Sequence, residues 1–204
     1  MCSWGRSVRL AVASIAVATL ARPAAAPQPL GLFSGNQDIG APSTIGAGSA
    51  AYKSQAQAYV VSGGGANMWG TADQFHYVWK KVSGDVTLAA TIAFTGTKPA
   101  TESPEPHRKA CLVIRQTLDS DSVYADAAVH GDGLTSLQWR DEKGGATHEV
   151  QSTVVAPKRV RIEKRGNYVS MSVAGDGEEA RHQRSSTRWK PSVCVPGIAE
   201  WCTS

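Results

Sequence analysis

No apolar run in this chain of 204 residues reaches the ~20 needed to cross a bilayer as a helix. The longest, Leu10–Leu20, stops at 11 residues. Cysteine is scarce at four, and the five histidines (His76, His107, His130, His148 and His182) form neither a His-x-His nor a His-x-x-x-His pair. That spacing argues against a zinc site. There is no Gly-x-Ser-x-Gly elbow for a serine nucleophile. There is also no Glu-x-Asp-x-Glu strand, the arrangement that puts paired carboxylates on one face for glycoside hydrolysis. No window carries three turns of helical spacing with caps. What remains, at 42% hydrophobic and 19% charged with 20 Gly and 10 Pro, is enough apolar material for a core, which excludes disorder and collagen-like repeats.

The formal charge of +4 is unevenly placed. Arg6, Arg9 and Arg22 fall within residues 1–26, and every acidic residue follows them, leaving 18 basic against 17 acidic residues, a net of +1. Nucleic-acid binding needs a concentrated cationic face. The one candidate, Lys158 to Arg165, alternates with Val160 and Ile162 and reads as the wet face of a strand. Residues 1–26 have the layout of a secretory signal: basic n-region, apolar stretch, then Ala24, Ala25 and Ala26. The expectation is an exported (secreted or periplasmic) protein with no membrane attachment once the leader is removed. Cys2 leaves with it, so Cys111, Cys194 and Cys202 remain. Cys111, in an apolar run, reads as a buried hydrophobe, and nothing in the sequence supports a Cys194–Cys202 bridge.

Residues 27–48 are a lead-in rich in Gly, Pro, Ser and Ala. From there the signal is period two, which puts alternate side chains on opposite faces. Runs lie at roughly 57–62, 74–81, 85–94, 109–118, 122–130, 134–141, 147–154, 158–164 and 168–174, divided by turn signals such as Gly63-Gly64-Gly65 and Gly131-Asp132-Gly133. About ten short strands at this spacing predict an all-β sandwich or barrel.

Parity sorts the faces. Val123, Ala125, Ala127 and Val129 are predicted to face the core, as are Ala110, Leu112 and Ile114, and Leu137 with Trp139. The opposite face then carries Arg115, Tyr124, Asp126, His130, Gln138 and Arg140. Such a surface reads either as a polar groove suited to a sugar or as a solvated sheet face with an Arg115–Asp126 cross-strand ion pair. Phe75, Tyr77 and Trp79 share one parity and are expected in the core, whereas Trp69 and His76 stand between core and ligand face. No cofactor is expected. Calcium held by turns such as Asp119-Ser120-Asp121 or by Asp132 is the one alternative, and these are also ordinary turn residues.

Three stretches carry a family resemblance: Gly63 to Asp85, His107 to Gln116, and Tyr124 to Arg140. In that order they resemble the concanavalin A-like sandwich of exported bacterial proteins, often found beside TolB-like propellers and related to the "regulation of enolase" domain family. The likeness covers roughly 33–174. It implies a jelly-roll sandwich of two antiparallel sheets, of the lectin/glucanase type, but little chemistry. It singles out Asp73 and His76 for a family-specific role and makes a propeller-type domain a candidate partner.

The domain reading is therefore signal 1–26, lead-in 27–48, sandwich 49–174 and an atypical tail 175–204. The tail lacks alternation just where further strands are due, so the sandwich is expected to lack its last strands, as if the end were frameshifted or misassigned. The expected function is a non-catalytic binding module for a carbohydrate or glycan-like ligand, on a site of Trp69, Asp73, His76, Arg115, Tyr124, Asp126, His130, Gln138 and Arg140. The alternatives are a glycoside hydrolase or lyase with an atypical site, and an accessory domain that contacts a protein partner. No catalytic residue, metal site or nucleic-acid contact is assigned.

Overall fold

Alternation of the kind found in Val86-Thr87-Leu88-Ala89-Ala90-Thr91 gives a strand one apolar and one polar side, and two such sheets bury their apolar sides against each other. The computed structural model describes residues 29–41, 46–95, 106–157, 159–175, 181–185 and 193–201, with only the backbone described for 181–185, 193–195 and 199–201. Among them there is no helix, and fourteen strands form a β-sandwich. They are β1 (Gly35–Ile39), β2 (Ser49–Lys53), β3 (Ala58–Ser62), β4 (Phe75–Trp79), β5 (Val82–Ser83), β6 (Val86–Thr91) and β7 (Lys109–Arg115). The rest are β8 (Tyr124–His130), β9 (Thr135–Arg140), β10 (His148–Gln151), β11 (Arg159–Arg165), β12 (Tyr168–Ala174), β13 (Arg181–Ser185) and β14 (Val193–Trp201). No helix among the described residues is long and apolar enough to cross a membrane. The leader and Cys202 lie outside the described residues.

Every pairing between strands is antiparallel. The large sheet runs β1-β4-β14-β7-β8-β9-β10, with β5 attached to β14. The second layer consists of a four-stranded sheet, β13-β12-β11-β6, and the β2–β3 hairpin. Between the layers, Leu112, Ile114, Ala125, Ala127 and Leu137 of the large sheet meet Val160, Ile162, Val169 and Met171 of the small one. Each fully buried aliphatic side chain here contributes about 1.5–3 kcal/mol. The parity assignment holds for Val123, Ala125, Ala127 and Val129, and Trp139 packs half-buried at the rim of the same core.

The tail corrects the expectation of a truncated sandwich. It supplies β13 and β14, and β14 lies at the centre of the large sheet between β4 and β7. Its period-two signal is hidden by Pro196 and Gly197, residues that ordinarily argue against a central strand. Gly197 answers a local need: a Cβ there would sit 2.1 Å from the Val78 carbonyl oxygen and 2.6 Å from the Tyr77 ring.

A second core lies on the other side of the large sheet. Phe75, Tyr77, Val113, Tyr124 and Ala128 are covered there by the segment between β3 and β4, whose Met68 is fully buried. The large sheet is thus covered on both faces.

Candidate functional site

Strands β7, β8 and β9 bring Arg115, Tyr124, Asp126, His130, Gln138 and Arg140 onto one face, as parity predicts. Arg115, Tyr124 and Arg140 lie in one row across the sheet, and Asp126 is level with Val113 and Gln138. His130 is level with Lys109.

This face is neither a solvated surface nor an open groove. Arg115, Tyr124, Asp126, Gln138 and Arg140 have no exposed area, and His130 keeps 6%. The covering segment carries Asp73, whose carboxylate is inserted between the two arginines. Arg115 Nη1 donates to Asp73 Oδ2 at 2.7 Å, while Arg140 donates from Nη2 to Oδ1 at 2.7 Å and from Nη1 to Oδ2 at 3.1 Å. The expected Arg115–Asp126 pair is not formed, because Asp73 takes the guanidinium. One carboxylate does not balance two cations, and the remainder is met by dipoles and rings. Arg115 donates to the carbonyls of Thr117 and Asp119, and Arg140 to those of Gly70, Ser122 and Gly145. The Tyr124 ring lies within 6 Å of both guanidinium carbons, at 5.9 and 5.0 Å. Tyr124 also donates its hydroxyl hydrogen to the Met68 carbonyl at 2.7 Å, fastening the cover down.

The other two site residues lie apart. His76 points to the opposite face of the large sheet, where it pairs with Asp38 at 2.7 Å under Gly48. A Cβ at Gly48 would come within 2.3 Å of the imidazole. Trp69 is 45% exposed at the lip of the cover, with Lys109 Nζ 5.7 Å from its ring centre.

Below the arginines the same face holds polar atoms with no hydrogen-bond partner among the described residues: both Asp126 oxygens, Gln138 Oε1 and His130 Nε2. Burial pushes the Asp126 carboxyl up to about 7, against the pull of Lys109. Burial, aided by Lys109, pushes His130 down to about 4. The Cys111 thiol is raised well above its ordinary range by burial and by the neighbouring Asp126, which makes it a poor nucleophile.

Glu149 of β10, missed in the sequence, stands level with Asp126 across Gln138. Burial works to raise it, but hydrogen bonds from Gln151 and Gln138 prevail and hold it below the usual carboxylate range. Two strand spacings separate the Asp126 and Glu149 backbones, roughly 10 Å. A raised and a lowered carboxyl would suit acid–base chemistry, but Asp126 is sealed beneath the cover, where no substrate reaches it.

The accessible recess is elsewhere. The second layer is divided: β6 pairs only with β11 and β3 only with β2 among the described strands, and both approach β14. Between them opens a cleft of about 770 Å³, within the range of small-ligand sites. Every residue from Ala56 to Val61 and from Leu88 to Thr95 lines it, so its walls are strand edges presenting both parities. Leu112 and Ile198 are at its floor, and Phe33, Tyr59 and Phe94 supply aromatic surface. The period-two signal of β6 reads as core strand, and its apolar side chains are in fact only half-buried, with no described strand beside them. Nothing local in the sequence marks that.

Among the described residues no three His, Cys, Asp or Glu side chains converge as metal ligands. Asp119 and Asp121 converge on Lys143 Nζ instead, at 2.9 and 3.5 Å. No family model matches this chain, and no curated protein is detectably similar to it.

Proposed function

We propose that this protein is an exported, non-catalytic binding module of the concanavalin A-like kind, and that its ligand sits in the cleft between β3 and β6. The observation that carries this is the contrast between the two candidate surfaces. The polar face of β7–β9 is filled by Asp73 and Met68, whereas the cleft is open, apolar at its floor and about 770 Å³ in volume. The carboxyl with the most perturbed proton affinity, Asp126, has no exposed area, which favours binding over bond cleavage.

Two occupants suit such a cleft, an extended peptide laid along its strand edges and a glycan, the latter favoured by Phe33, Tyr59 and Phe94, whose rings offer stacking surfaces for sugars. The test is a screen of the full chain against immobilised glycans and extended peptides, repeated with Ala90→Trp, which fills the cleft. A ligand held by the wild type and lost from the correctly folded variant supports the cleft. Undiminished binding by the variant, or hydrolysis of the bound ligand, overturns the proposal.

A further inference from the structure

Resting on the cleft as the ligand site, we infer that its occupant is one extended polypeptide segment, which adds as a strand between β3 and β6 and joins the two parts of the second layer. Three observations carry this. First, the walls are sides of two strands left unpaired by the described residues, the other sides being occupied, β3 by β2 and β6 by β11. A strand edge is a row of alternating donors and acceptors, and an extended chain is the ligand that satisfies two such rows at once.

Second, the size fits. A strand spacing of about 4.8 Å, a layer spacing of about 10 Å and a rise of about 3.3 Å give roughly 160 Å³ per residue. The 770 Å³ cleft then holds about five residues of a single strand. Strand β3 is five residues long and β6 six.

Third, the chemistry of the lining selects among peptides. Side chains pointing inward meet Leu112 and Ile198, so alternate positions must be apolar. Arg159 also lines the cleft, and none of its described lining residues is acidic. The occupant is therefore an alternating apolar segment with an Asp or Glu beside Arg159.

The probe is a pool of blocked heptapeptides with Glu at both ends, Thr at the two outward positions, and Val, Ile, Leu, Phe or Tyr at the three inward ones. Members retained by the full chain are expected to slow amide exchange in residues 58–62 and 86–91 at least tenfold while leaving 148–151 unchanged. N-methylation of alternate backbone amides should cut affinity at least tenfold, since it removes one row of donors without altering the side chains. Replacing both Glu by Lys, or Arg159→Gln, should weaken binding about twofold, the scale of one exposed ion pair. The inference is overturned if no member is retained, if exchange in both strands is unaltered by a bound peptide, or if N-methylated peptides bind equally. Concentration-dependent protection of the same amides without peptide would identify a second copy as the occupant and likewise overturn it. A glycan bound in the cleft with no peptide retained defeats the strand but leaves the cleft standing. Peptide binding undiminished in Ala90→Trp defeats both.

Discussion

Asp126 and His130 are four residues apart on one strand, and burial displaces their proton affinities in opposite senses. Asp126 is raised to about 7 in the folded protein, against about 3.9 in an unfolded chain. Its contribution is therefore complete below pH ~3.9 and is lost as pH rises through 7. His130 is lowered to about 4 from about 6.5, so its contribution is complete above pH ~6.5 and is lost as pH falls through 4. Between pH 4 and 6.5 the two slopes oppose each other and nearly cancel, so the wild type is expected to be almost flat there. His130→Gln should leave the Asp126 slope alone, a fall in stability with rising pH of up to about 1.4 kcal/mol per unit. Asp126→Asn should leave the His130 slope alone, a rise in stability with rising pH. Urea unfolding of both variants and the wild type at pH 4.5, 5.5 and 6.5 measures this. Equal slopes in all three proteins would mean that neither group titrates abnormally.

Strand β14 shows how an element can be central and yet hard to read. It joins β4 to β7, and the Gly197 position is set by the Tyr77 ring and the Val78 carbonyl on its neighbour. A side chain there must displace backbone, which is stiffer than a rotamer, so Gly197→Val should cost at least the roughly 1–3 kcal/mol typical of overpacking. Thermal unfolding of the variant reads this directly, and an unchanged midpoint would remove Gly197 from the packing argument. The segment between β3 and β4 poses the converse case. It is irregular, with a run of three glycines, yet it carries the buried Met68 and the carboxylate that bridges the arginine pair. Gly65 lets it approach the sheet, since a Cβ there would lie 2.0 Å from the Gln74 carbonyl oxygen. A turn signal marks where such a chain leaves a strand, but not the surface it settles on.

Across the whole molecule, β14 unites the large sheet. A chain ending at Ala174 loses β13 and β14, which separates β1 and β4 from β7–β10. Net stabilities of about 5–15 kcal/mol leave little reserve for exposing two strand edges in mid-sheet. That truncated chain is expected to melt without a cooperative transition by circular dichroism, and a sigmoidal melt matching the full chain would show β14 to be dispensable. The sequence alone determined the class of fold, most strand positions from residue 57 to 174, and the side of the sheet on which Arg115, Tyr124, Asp126, His130, Gln138 and Arg140 lie. These follow from local geometry, because alternate side chains of a strand must face opposite ways. Tertiary structure alone decided what covers that side and where a cleft is left open. Asp73 is 42 residues from Arg115 and 67 from Arg140, and the cleft exists because two parts of one layer stop short of each other. Neither relation has a local period, so neither leaves a trace in the order of the amino acids.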